Sequence, residues 1–148
     1  MDSSISGFID RQTVASIACV DENNEPYCFS CFYAFDALEG RMYFKSSLTS
    51  KHAQILLENR RVSGTIQPDK LRVFAIKGVQ FTGTVIPFFP NEEASDNYHR
   101  RFPYALAMPG EVWVIELDAI KMTDNRIGFG KKIVWKRSDA GCELPAAG

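Results

Sequence analysis

Short runs of branched, aromatic and small residues, each closed by a polar or glycine-containing turn, recur along the whole chain: residues 13–20, 26–35, 41–45, 61–67, 71–87, 111–117, 119–123 and 131–137. Runs of this length and composition are strands rather than helices, and turns this close together favour antiparallel neighbours. Within residues 71–87 the alternation is clearest. Phe81, Gly83 and Val85 share one face of the strand while Gln80, Thr82 and Thr84 share the other. One face therefore enters a core, and the polar face meets water, a cofactor or a partner.

Three helical segments interrupt the strands. Residues 2–12 place Ile5, Phe8 and Ile9 at helical spacing, and residues 49–59 place Ala53, Leu56 and Leu57 on one face. Residues 91–102 open on the capping residue Asn91 and the acids Glu92 and Glu93, then close on His99, Arg100 and Arg101, matching a helix dipole at both ends. A mainly β chain with short helices points to a small closed or split antiparallel barrel rather than a parallel α/β sheet. The first two strands flank Asp21-Glu22-Asn23-Asn24-Glu25, a hairpin signal. With Asn23 and Asn24 as the loop, Glu22 faces Glu25 and Cys19 faces Cys28, and Pro26 falls at a non-hydrogen-bonded position.

With 148 residues, the chain is expected to form a single domain over 1–148, with a frayed tail from 138 to 148. Seventeen basic residues stand against 18 acidic ones, so the basic excess of a nucleic-acid binder is missing, and Arg100-Arg101 and Lys131-Lys132 are too small to supply it. The polar N-terminus carries no secretory signal and no stretch is long and apolar enough to span a bilayer, which places the protein in the cytoplasm with no membrane partner. Cysteines 19, 28, 31 and 142 are then expected to be thiols. Cys28 and Cys31, three apart on a strand, point to opposite faces, and no second pair completes a metal site.

The segment from Tyr43 to Gln54 runs from an aromatic strand through a hydroxyl-rich turn into a helix. A helix start offers unpaired N–H groups and a partial positive charge. Hydroxyls at Ser46, Ser47, Thr49 and Ser50, with Lys45 and Lys51, would complete a phosphate site. The plainer alternative is a hydroxyl N-cap, at Thr49 or Ser47, with solvated lysines. Other motifs carry less. Gly128-x-Gly130 lacks the third glycine of a dinucleotide fingerprint, His52 and His99 lie on different helices, and no nucleophile elbow is present.

Phe44-Lys45-Ser46, Ser50-Lys51-His52-Ala53-Gln54 and Asn59-Arg60-Arg61-Val62-Ser63 resemble the FMN-phosphate segment of the pyridoxamine-5'-phosphate-oxidase-like split barrels. Lys77-Gly78-Val79-Gln80-Phe81-Thr82-Gly83 is similar to their flavin-contacting strand. Arg100-Arg101-Phe102-Pro103, Val112-Trp113 and the stretch from Lys121 through Gly128-Phe129-Gly130-Lys131-Lys132 to Trp135 resemble an uncharacterised YhbP-like branch. The resemblance implies an FMN-binding split barrel working as a homodimer, with cofactor sites at the subunit interface. It implies that Phe44, Lys45, Ser46, Thr49, Ser50 and Lys51 form the phosphate end, that Gln80 bonds the flavin, and that Lys132 takes the place of a flavin-contacting arginine from the second subunit. Strand alternation leaves Lys131 as the alternative to Lys132.

What the resemblance implies about activity is a flavin-dependent oxidoreductase acting on a small molecule, with no protein acid or base and no metal. Two departures matter. The oxidases carry an Arg-x-His substrate clamp where this chain has Gly128-Phe129-Gly130, which argues against pyridoxamine phosphate, and a strand arginine where it has Cys28, a loss that argues against tight FMN binding. The alternative is a non-catalytic flavin or haem binding module.

Overall fold

The strand runs form one antiparallel sheet that curls until it meets itself. In this computed structural model, which describes residues 1–86, 91–126 and 132–140, the strands are β1 (Val14–Val20), β2 (Pro26–Asp36), β3 (Arg41–Ser46), β4 (Arg61–Ile66), β5 (Lys77–Val85), β6 (Glu111–Asp124) and β7 (Lys132–Lys136). Their order is β3-β2-β1-β4-β5-β6-β7, and β3 pairs again with β6, so the first six strands close into a barrel. The helices are α1 (Ser3–Arg11), α2 (Lys51–Glu58), α3 (Glu92–Arg101) and α4 (Arg137–Ala140), with a 3-10 turn at Pro103–Ala107. Among the described residues no helix is long and apolar enough to cross a membrane.

Strand alternation sends Ile17, Met42, Phe44, Val62, Phe81 and Ile115 into the barrel. Helix α1 adds Ile5, Phe8 and Ile9 to that core, and α2 adds Ala53, Ile55 and Leu56. The helix is rolled so that Ile55, not the expected Leu57, is buried. The buried Tyr33 hydroxyl donates to the Ile9 carbonyl, tying α1 to β2. A second cluster lies outside the barrel, where α3 and the 3-10 turn set Ala94, Tyr98, Phe102 and Ala105 against Ala34, Tyr43 and Val114.

Three expectations about strands change. The first hairpin pairs Val20 with Pro26, Cys19 with Tyr27 and Ala18 with Cys28, one residue away from the expected register. The cause is the loop. The Asp21 carboxylate accepts from the N–H groups of Asn23 and Glu25, and Asn24 turns into the left-handed region at φ 60°, so the loop is longer than Asn23-Asn24. Strand β5 begins at Lys77 rather than 71, because the chain turns at Arg72–Ala75, where the Ala75 N–H donates to the Arg72 carbonyl. Residues 111–117 and 119–123 are one strand, β6, in which a register shift between Thr82 and Gly83 of β5 absorbs Asp118 as a bulge.

Candidate functional site

The sheet's outer face carries two cross-strand rows that the register fixes. One runs Cys28, Ala18, Ser63, Thr82, Ala119, Lys136, and its neighbour runs Ser30, Ser16, Thr65, Gln80, Lys121, Val134. Small side chains in the middle of both rows leave a concavity of about 500 Å3, lined by members of both together with the backbone of Gly64. Among the described residues its long polar side chains are Gln80 and Lys121, and no carboxylate lines it. The face expected to meet water, a cofactor or a partner is therefore hollow over Gln80.

The hydroxyl-rich turn stands at the start of α2, beside β2. The helix begins at Lys51 rather than 49, and its cap is Ser50 rather than Thr49 or Ser47, with the Ser50 Oγ accepting from the Ala53 N–H at 3.3 Å. Thr49 is not the cap, since it stands one residue before Ser50 and its hydroxyl pairs with Ser47 Oγ at 2.8 Å. Ser50 also donates to the Ser47 carbonyl, and Ser46 Oγ lies 2.5 Å from His52 Nε2. His52 stacks on Phe29 with ring centroids 3.9 Å apart, and burial lowers its pKa from the ordinary 6.5, which keeps the imidazole neutral. Because one hydroxyl serves as both cap and network member, Ser50→Ala is expected to lose about 1 kcal/mol of stability in urea titrations with or without flavin. Thr49→Ala should change little by the same measure.

Lysines 45 and 51 do not meet in the turn. Alternation along β3 puts Lys45 with Tyr43 on the face covered by α3, so the expected grouping of Lys45 with the turn is not what forms. Its ammonium donates to the Ala105 carbonyl at 2.6 Å and lies 3.0 Å from His99 Nε2. His99 Nδ1 faces the Ser95 carbonyl at 2.9 Å and so carries the ring proton, leaving Nε2 to accept from Lys45. Lys51 lies over the Tyr27 ring, 4.7 Å from its centroid, in a separate hollow with Asp21, Glu22 and Glu58. That hollow and the one over Gln80 share no lining residue. Phe44 is 1% exposed in the barrel core between Phe29 and Trp113, and its side chain offers no surface to a ligand.

Lys132 is exposed on β7, opposite Thr123, on the same outer face as Val134 and away from Ile133 and Trp135, which pack against the core. Lys131, Gly128-Phe129-Gly130 and Cys142 lie outside the described residues. Cys28 is exposed at the rim of the cavity, whereas Cys31 packs inward and burial pushes its thiol up to about 12. Sequence reading missed Lys121. The signal was present, since Lys121 alternates with Ile120 and Met122, but locating it beside Gln80 needed the β5–β6 register.

No family model matches the chain. A UPF0306 protein of Photorhabdus laumondii is 38% identical over 90% of this chain and 94% of its own. The UPF0306 protein YhbP of Escherichia fergusonii is 38% identical over 92% and 93%. Among solved structures, a heme binding protein from Mycobacterium smegmatis superposes with a TM-score of 0.72 at 16% identity, covering 87% of this chain and 55% of that one. A FAD-binding protein from Mesorhizobium loti gives 0.69 at 16% identity over 84% and 94%. A protein of the pyridoxinephosphate oxidase family from Clostridium acetobutylicum gives 0.67 at 9% identity over 94% and 99%. The fold is thus that of the split barrels.

Proposed function

The chain belongs to the UPF0306 family of YhbP proteins, and we propose that it is an FMN-dependent oxidoreductase acting on a small molecule other than pyridoxamine phosphate. The observation that carries this reading is the hollow over Gln80. A planar ring system needs a floor of small side chains with a few polar handles, and Ala18, Ser63, Thr65 and Ala119 with the Gln80 amide and Lys121 meet that need. The helix start is the second element of this reading, as the place for the ligand's phosphate. The Ser50 Oγ takes the Ala53 N–H, and among the described residues the N–H groups of Lys51 and His52 carry no hydrogen bond, which leaves them to meet an anion. Bound FMN would supply the redox chemistry, while the protein orients it and sets its electrostatics.

The homodimer is proposed from the same face. Val14, Phe32 and Val134 stand exposed on it, and Leu71, Val73, Phe74 and Ile76 project from the loop that leads into β5, with Phe74 98% exposed. Apolar surface of that extent calls for a cover, and a second copy would enclose the cavity as it covered the patch. A stable monomer at micromolar concentration in sedimentation would count against this.

Haem is the weaker occupant of the cavity. Haem iron takes an axial His, Cys, Met or Tyr, and of these, among the described residues, only Cys28 lines the hollow. The deciding experiment is the absorption spectrum of purified protein loaded with FMN. A flavin spectrum that NADH or NADPH bleaches and an acceptor restores supports the oxidoreductase. Bound flavin that no donor reduces supports the non-catalytic module instead, and a Soret band after haem addition, with no flavin uptake, overturns the flavin reading.

A further inference from the structure

The described lysines near the site differ in what holds them. Lys45 is bonded to the Ala105 carbonyl, Lys77 pairs with Asp124 at 3.6 Å, and Lys51 sits on Tyr27 among carboxylates. Lys132 and Lys136 stand on the outer face but do not line the cavity. Lys121 is different. It is half-buried, lines the cavity beside Gln80 and Val134, and has no hydrogen bond or ion pair among the described residues. A cation that is partly withdrawn from water with no counter-ion directs its field at whatever fills the cavity, and in such surroundings that field is stronger than at the open surface.

We propose that Lys121 is the residue that makes the cavity favour an electron-rich, negatively charged ligand edge, binding reduced flavin more tightly than oxidised flavin. The inference rests on the flavin reading of the same cavity. Reduced flavin carries negative charge on the pyrimidine side of its ring at neutral pH and the oxidised ring does not, so a nearby cation discriminates between the two. Gln80 is Lys121's cross-strand partner, and it reads the same edge without charge. The role that family resemblance gives to Lys132 thus falls to a residue one strand further into the sheet.

The test uses full-length wild type, Lys121→Met, Lys121→Gln, Lys121→Arg and Lys132→Met, with thermal melts as the folding control. Binding of oxidised and reduced FMN and riboflavin is measured anaerobically, and the midpoint potential by equilibration with a reference dye. Lys121→Met and Lys121→Gln are expected to lower the ratio of reduced to oxidised affinity about tenfold, which is about 30 mV for a two-electron couple. Lys121→Arg should restore most of it, and riboflavin should respond as FMN does. An unchanged potential in both folded neutral variants overturns the proposal, as does a shift confined to Lys132→Met or an effect seen with FMN and not with riboflavin. Wild type that binds no flavin overturns this inference and the reading beneath it, whereas wild type that binds flavin beside insensitive variants overturns this inference alone.

Discussion

Gly64→Val is expected to destabilise the protein by at least about 3 kcal/mol, at or beyond the upper end of ordinary overpacking. A Cβ at Gly64 would stand 2.4 Å from Phe81 Cζ and 2.5 Å from the Ser16 carbonyl oxygen. Gly64 pairs with Ile17 on one side and Phe81 on the other, so the Phe81 ring fills the space that a side chain here would take. Moving the ring relieves only the first clash. Ser16 O belongs to the backbone of β1 and shifts only with its strand. Gly64→Val combined with Phe81→Leu should therefore recover only part of the loss. Gly78→Ala is the contrast, because its added Cβ would meet nothing nearer than the Ile66 carbonyl at 3.7 Å. Urea midpoints for the three variants check this, and a Gly64→Val protein as stable as Gly78→Ala would refute the packing account.

Lys51→Ala is expected to weaken FMN by on the order of 1.5–3 kcal/mol, the scale of a hydrogen bond to a charged group, or roughly ten- to a hundredfold in Kd. Riboflavin, which lacks the phosphate, should barely respond. Lys51 rests on Tyr27 near Asp21, Glu22 and Glu58, so a phosphate has to draw the ammonium toward the helix start and away from those carboxylates. Fluorescence titration of both flavins into wild type and variant decides the matter. Equal losses for FMN and riboflavin, or no loss for FMN, would mean that the turn only caps its helix.

The barrel was legible because its signals are periodic. Alternation in β5 correctly separated Phe81, Gly83 and Val85 from Gln80, Thr82 and Thr84, and helical spacing found Ile5, Phe8 and Ile9. Local chemistry that competes with periodicity was not legible. Asp21 shifted the first hairpin through an Asx turn that alternation does not register, and a bulge at Asp118 hid the continuity of β6 behind an apparent break. The site suffered for a related reason. Lys45 and Ser46 are adjacent in sequence but face opposite neighbours, so a motif of consecutive residues was divided between α3 and the α2 turn. Lys121 and Gln80 are far apart in sequence and adjacent in the sheet, a relation that only register supplies.

Closing the barrel through β3 and β6 has a kinetic side. Arg41–Ser46 must wait for Glu111–Glu116, which are synthesised only after α2, β4, β5 and α3. Until then one edge of β3 has no ladder partner, and Met42 and Phe44 lack part of the core that later buries them. Pairing across so long a span forms late, since loop entropy opposes it until most other contacts exist. The newly made chain therefore passes through an interval with an open, apolar strand edge, and that interval rather than the finished barrel is where self-association competes with folding.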